Sequence, residues 1–261
     1  ASFNLLASCF GRRYLAPGDK VLITEAEHHS NIVPWQMVCQ SIGASLSVLP
    51  VDECGRISIK EYEKLLDNRV KIVSITQVSN VLGIINPVKE MVSIAHSKGI
   101  PVAVDGAQGV VHTRVDVTDL DCDFYVFSGH KIYAPCGTGV LYGRRSLLEE
   151  MPPYMGGGDM VESVSFGRTT YAELPLKYEA GTPNFAGQAS LAPALEFAGA
   201  LRDDPSVQEA DREMTEYMME RLLKVNGLHL YGNTGDIADK VPVFSFTVEG
   251  AHPSDMAQIL D

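Results

Sequence analysis

Four short apolar runs in this chain each end on side chains that can do chemistry. DFYVFS (123–128) leads into Ser128, His130 and Lys131, and PVAV (101–104) into Asp105, Gln108 and Gly109. VLITEAE (21–27) leads into His28 and His29, and IVSITQVS (72–79) into Asn80. In open α/β sheets ligands bind outside the carboxyl ends of the strands, so residues placed after strands share one edge. That edge would hold an amine, a carboxylate, an imidazole and an amide together. An amine and a carboxylate brought together this way suit pyridoxal phosphate, whose aldehyde is captured by a lysine. Its ring nitrogen needs an acidic partner to stay protonated and accept electrons from a carbanion. Lys131 suits the first role and Asp105 the second. Ser128 and His130 offer donors to a phosphate, and His28 offers a flat ring to stack on the cofactor. Gln108 and Asn80 are left to the ring hydroxyl or to the substrate.

Taken singly, each residue has an ordinary reading. A lysine after a strand is commonly a solvated loop residue, and an aspartate opening DGAQG commonly shapes a turn. Asn80 fits the VSNVLG turn, Ser128 a cap, His28 and His29 a surface loop, and Cys136 a packing position. The convergence of four strand ends reverses these readings. Rival sites fail on their letters. GTGVLYG (137–143) places Tyr142 where a dinucleotide fingerprint needs its third glycine, and VLYG reads as strand rather than helix. MGGGDM (155–160) lacks the Lys-Ser/Thr of a phosphate-binding P-loop, EHH lacks the i, i+4 spacing of a helical zinc pair, and no G-x-S-x-G elbow occurs. No metal site is expected.

The elements that must position these residues alternate along the chain. DKVLIT (19–24), ASLSVLPV (44–51), VKIVSIT (70–76), IPVAVD (100–105), DFYVFS and GTGVLYG are short and almost wholly apolar, the pattern of strands buried on both faces. Helical stretches intervene. SIKEYEKLLDN has Ser58 and Glu61 at capping-box spacing, and NPVKEMVSIAHSKG has Asn86 as N-cap, Pro87 at N1 and Gly99 as its stop. The alternation predicts an α/β fold with a mostly parallel sheet. From about residue 190 it changes to a long amphipathic helix (204–226) followed by LHLYG and KVPVFSFTVEG, the beginning of a smaller α+β unit.

With 21 Lys+Arg against 33 Asp+Glu the net charge is −12, which argues against nucleic acid and for a small-molecule substrate. No apolar run approaches a membrane span and no signal-peptide pattern opens the chain, so no membrane partner and a cytoplasmic location are expected. Five scattered cysteines without a C-x-x-C pair suggest free thiols.

Five motifs, EAEHHSNIVPWQ, VDGAQGVVH, DFYVFSGHKIYAPCGTGVLYG, PYMGGGDMV and KYEAGTPNFAG, occur in this order over nearly the whole chain. Together they resemble the aminotransferase class V branch of pyridoxal-phosphate enzymes, and within it the SUF-type cysteine desulfurases and the similar selenocysteine lyases. The resemblance implies the type I fold. Its large domain, a mostly parallel sheet of the seven-stranded type flanked by helices, would cover 1–190 and a partial smaller α+β domain 191–261. It also implies a homodimer. Lys131 would be the covalent anchor, and also the base that removes the substrate Cα proton. Asp105 would partner the pyridine nitrogen, His28 would stack, and Gln108 would bind the ring hydroxyl. Ser128 and His130 would bind phosphate, Asn80 would hold the substrate carboxylate, and Thr182 would reach the neighbouring subunit's phosphate. The implied reaction converts L-cysteine, or L-selenocysteine, to L-alanine. The sulfur would pass to an enzyme cysteine as a persulfide and on to an acceptor protein, supplying iron-sulfur cluster assembly. None of the five cysteines sits in the family's nucleophile context, and the Gly-Thr-Thr phosphate loop is not seen. The expectation is therefore a fragment lacking both terminal segments and inactive by itself as a desulfurase. Another class V enzyme, an aminotransferase or a kynureninase-like hydrolase, and a non-catalytic protein on the same fold are the alternatives.

Overall fold

The computed structural model describes residues 1–232, 235 and 237–261. Helix α1 (Ser2–Tyr14) precedes β1 (Lys20–Thr24), α2 (His29–Ile42), β2 (Ser45–Leu49), α3 (Ile59–Leu65), β3 (Val70–Thr76) and α4 (Val88–Ser97). Then come β4 (Val102–Asp105), the short helices α5 (Gly109–His112) and α6 (Val117–Leu120), β5 (Phe124–Ser128), a 3-10 turn (Gly129–Ile132) and β6 (Gly139–Gly143). The sheet order is β2-β1-β3-β4-β5-β6. Every pairing is parallel except β5 with β6. All six apolar runs read as strands are strands of this sheet. The seventh strand of the resembling fold type has no counterpart in it among the described residues.

Side chains alternate across a strand, and the sheet uses this to build two cores. Leu22, Val73, Ile75, Val102, Val104 and Tyr125 point to the face covered by α3 and α4, where Tyr62 and Met91 are fully buried. Val21, Ile23, Ile72, Ala103, Phe124 and Val126 point to the other, against Phe3, Leu6 and Phe10 of α1 and Trp35 of α2. Strands β1, β3 and β4 are buried on both faces, as their continuous apolar runs require. The edge strands β2 and β6 are only half-buried, because each has a neighbour on one side alone.

Two caps test the helix signals. Ser58 accepts from the Glu61 amide at 3.4 Å, half of the anticipated box; the Glu61 carboxylate turns instead to Lys64. Asn86 is not an N-cap. Its side chain is buried and donates through Nδ2 to the Thr76 carbonyl at 2.9 Å, and helix α4 starts after Pro87 with no side-chain cap. A carbonyl at the buried end of β3 costs more to leave unpaired than a helix end open to solvent.

Past β6 come α7 (Arg145–Glu150), the ribbon of β7 (Val161–Val164) and β8 (Thr169–Tyr171), α8 (Phe185–Ala189), α9 (Leu191–Asp203) and α10 (Pro205–Leu222). Asp204 caps α10 by accepting from Ser206 N, so the long helix starts where its sequence suggests. A second antiparallel ribbon, β9 (Leu228–Tyr231) with β10 (Ser245–Val248), and α11 (Pro253–Leu260) complete the chain. Among the described residues no helix is long and apolar enough to cross a membrane.

Candidate active site

Strand β1 lies between β2 and β3, so the chain winds away from it in both directions and leaves a crevice beyond the carboxyl ends at this switch. A cavity of about 630 Å³ opens there, lined by His28, Asn80, Asp105, Gln108, Ser128, His130 and Lys131. The sequence placed these residues after β1, β3, β4 and β5, and parallel pairing brings those strand ends to one edge. Thr182 does not line this cavity; it lies exposed in the 180–184 loop. None of the five cysteines lines it either. Cys9, Cys39 and Cys122 are buried and their thiols are pushed up by burial, the last two to about 11 and about 12, so they stay protonated at neutral pH.

Asp105 closes β4 and is buried. Burial pushes its carboxyl above the usual range, while the Ala107 N–H and the charges of Lys131 and His28 pull it back. The Ala107 amide, 2.9 Å from Oδ1, is the one hydrogen-bond donor to this carboxylate among the described residues. Spare lone pairs in a dry place await a cation or a strong N–H donor. Lys131, half-buried in the 3-10 turn, makes no hydrogen bond or ion pair among the described residues, so its amine is uncommitted. It also lines a second cavity, with His112 and Arg114.

His28 is the N-cap of α2: its Nδ1 accepts from the Ser30 amide at 3.1 Å, with the Ser30 hydroxyl 2.8 Å away. A backbone N–H can only donate, so Nδ1 is the acceptor and the neutral ring carries its proton on Nε2. The ring is exposed and lines the cavity.

The turn carrying Gln108 is held from below. Tyr125 Oη donates to Gln77 Oε1 at 2.6 Å, Gln77 Nε2 donates to Thr113 Oγ1 at 3.1 Å, and the Gly106 amide donates to Val126 O at 2.8 Å. The turn lies directly on this layer: a Cβ on Gly106 would stand 1.9 Å from Tyr125 Cζ, and one on Gly109 would stand 2.1 Å from Gln77 Oε1. Both glycines of DGAQG are therefore demanded by close approach.

Three features of the site escaped the sequence. Glu27, adjacent to His28, is buried in a polar network with Thr24, Asn31 and Thr76. The Asn80 loop is clamped from the far end of the chain: the Ile85 amide donates to Asp239 O, Val241 N to Gly83 O, Ser245 Oγ to Val81 O and Lys240 Nζ to Leu82 O. Asn184 and Gln188, on and before α8, also face the cavity. The EHH pairing of an acid with the site histidine was a usable signal for Glu27; nothing local announces the clamp.

An aminotransferase class-V family model matches residues 1–261. The chain is 46% identical to a cysteine desulfurase of Serratia proteamaculans over 259 residues, 99% of this chain and 63% of that protein. Among solved structures, a cysteine desulfurase of Escherichia coli superposes with a TM-score of 0.90 at 41% identity, covering 99% of this chain and 63% of that one. The apo cysteine desulfurase of Thermococcus onnurineus gives a TM-score of 0.90 at 34% identity, covering 100% and 64%. This chain thus spans a little under two thirds of the length of these relatives.

Proposed function

The chain belongs to the aminotransferase class-V family, and on that premise we propose that its cavity holds pyridoxal phosphate and serves a cysteine desulfurase reaction. The observation that carries this reading is the meeting of an uncommitted lysine and a buried, under-bonded aspartate in one cavity of about 630 Å³. The donor set fits the group. An amine suits its aldehyde, a buried carboxylate suits its ring N–H, and Ser128 and His130 suit a phosphate. When bound, the cofactor supplies an electron sink for the charge left at the substrate Cα.

This chain's residues do the rest. Asp105 holds a proton on the ring nitrogen, because separating that ion pair would leave a charge in a dry site. Lys131 would anchor the cofactor, and its amine is the base that would take the substrate Cα proton. His28 limits tilt by stacking, Gln108 binds the ring hydroxyl and Asn80 holds the substrate carboxylate. L-cysteine is the proposed substrate, with L-selenocysteine the other amino acid this chemistry admits. Three thiols are buried and protonated and none of the five lines the cavity, so the sulfur's first acceptor is not among this cavity's side chains. In a homodimer the exposed Thr182 would reach the neighbouring cofactor's phosphate, and an acceptor protein would carry sulfur to iron-sulfur assembly. The proposed division into a sheet domain (1–190) and a smaller unit (191–261) follows the change of pattern after α8.

Borohydride reduction of the protein with pyridoxal phosphate, followed by peptide mapping, tests the reading. The expected adduct is on Lys131, is absent in Lys131→Ala, and is suppressed by prior addition of L-cysteine. No adduct, or one scattered over surface lysines, refutes cofactor binding; labelling indifferent to both L-cysteine and L-selenocysteine refutes the substrate.

A further inference from the structure

Glu27 is the buried acid the proposed chemistry leaves unused. Its side chain is surrounded by donors from three elements. The Thr24 hydroxyl, at the end of β1, donates to Oε1 at 2.7 Å, and the Thr76 amide, at the end of β3, donates to the same oxygen at 2.8 Å. Asn31 Nδ2, in the first turn of α2, donates to Oε2 at 2.7 Å. No cation pairs with it among the described residues, and the charge of Asp105, which is of like sign, raises its pKa further.

The direction of these bonds is forced. The Trp35 indole N–H can only donate, and it donates to Asn31 Oδ1 at 3.1 Å, as does the Ser74 hydroxyl at 2.6 Å. The Asn31 amide is thereby oriented with its NH₂ toward Glu27. The Thr76 backbone N–H is likewise a fixed donor, and it reaches the other carboxylate oxygen. Two obligate donors on two different oxygens require a side chain that accepts at both, which a carboxyl does and an amide does not. An apolar or amide substitute leaves at least one buried donor unpaired.

The turn between β1 and α2 holds Glu27 and His28 side by side, and its other polar anchor near the cavity is the His28–Ser30 cap. We propose that Glu27 is the positioning residue of this site: Oε1 ties the turn to the end of β3, Oε2 ties it to the first turn of α2, and together they set where the His28 ring stands at the cavity. Thr76 is itself a cavity residue, so the same tie holds the wall from which the Asn80 loop departs. The proposal rests on the pyridoxal phosphate reading only where the cofactor is used as the reporter.

The test compares wild type with Glu27→Gln, which keeps the shape and removes one acceptor. Without cofactor, nitrogen NMR of the imidazoles reports the His28 tautomer. The wild type is expected to hold the proton on Nε2 with Nδ1 accepting from Ser30, and Glu27→Gln to average the two nitrogens. With pyridoxal phosphate, the visible circular dichroism per Lys131 adduct is expected to fall roughly twofold or more in Glu27→Gln, as an ill-held stacking group lets the ring tilt. His28→Ala should cause the same loss, and the double variant no more. A lowered melting temperature with an unchanged tautomer and unchanged dichroism per adduct would overturn the proposal, because a purely structural residue predicts that result. If the wild type forms no Lys131 adduct, the function reading fails and the tautomer measurement alone decides the positioning role. If Glu27→Gln does not fold, Thr24→Val, which removes one donor of three, is measured in its place against the same outcomes.

Discussion

Gly106→Ala is expected to be among the most damaging single-methyl additions in this protein. The added Cβ would stand 1.9 Å from Tyr125 Cζ and 2.1 Å from both Cε1 and Oη. That is roughly 1.6 Å inside the ~3.5 Å at which carbon atoms rest in contact. The ring cannot yield, because Tyr125 is 2% exposed and its hydroxyl is held by Gln77 at 2.6 Å. Nor can the turn rise freely, because the Gly106 amide is bonded to Val126 O at 2.8 Å and Asp105 is paired in register with Val126. Overpacking of a well-filled core costs about 1–3 kcal/mol where neighbours can adjust, and here they cannot, so a loss of at least ~3 kcal/mol is expected. At about 2–4 °C per kcal/mol for a domain of this size, the melting temperature should fall by roughly 6–12 °C. Differential scanning calorimetry reads this directly. Gly137→Ala is the control: the same Cβ meets nothing within 4 Å, and only the positive φ of +87° opposes it, a cost of about 1–2 kcal/mol. Tyr125→Leu in the Gly106→Ala background should recover part of the loss beyond the sum of the single changes. A Gly106→Ala protein that melts within a degree or two of wild type would refute the steric reasoning. So would one no worse than Gly137→Ala.

Two further outcomes follow from groups away from the cofactor seat. Asp123, at the opposite edge of the sheet, accepts from the Val102 amide at 2.7 Å and contacts His96 Nε2 at 2.8 Å and Arg144 Nε at 3.0 Å. Arg144 Nε is buried and makes no well-aligned hydrogen bond, and among the described residues Asp123 is the carboxylate facing it, while Nη2 of the same guanidinium pairs with Asp121; Asp123→Ala leaves that Nε and the Val102 amide without their carboxylate, and should cost about 3 kcal/mol in urea unfolding and leave Lys131 labelling intact. The second outcome concerns pH. Burial, opposed by the bonds from Thr24, Asn31 and Thr76, pushes Glu27 from its ordinary 4.5 up to about 7. The folded chain then binds this proton more tightly than the unfolded chain, so its contribution is fully present below pH 4.5 and lost as pH rises through 7. Wild type should shed about 3 kcal/mol more than Glu27→Gln across that window; parallel stability curves for the two proteins would contradict it.

Much of this site is legible in the letters. A strand buried on both faces must be apolar throughout, so β1, β3, β4 and β5 stand out, and the polar residues after them must share an edge once the strands run parallel. Lys131, Asp105, His28 and Gln108 could therefore be gathered without a structure. Helix signals were less secure where local and distant partners competed. Asp204 caps α10 as its sequence suggests because its carboxylate bonds within the helix's own first turn. Asn86 abandons its cap for the Thr76 carbonyl because the buried end of a strand has no water to fall back on.

The amino-acid sequence by itself determined the order of the six sheet strands, the two-faced burial of the central ones and the strand-end residues they offer to the cavity. These follow from periodicity and from chemistry carried within each segment. Tertiary structure alone decided that β2 and β6 are edges, that Thr182 stands apart from the cavity, and that Glu27 meets Thr76 across 49 residues. It alone decided that the backbone around Asp239–Ser245 grips the Asn80 loop. Such contacts join segments whose local patterns are indifferent to one another. They form because each buried donor or acceptor must find a partner somewhere in the folded chain, and which partner lies within reach is a property of the packing.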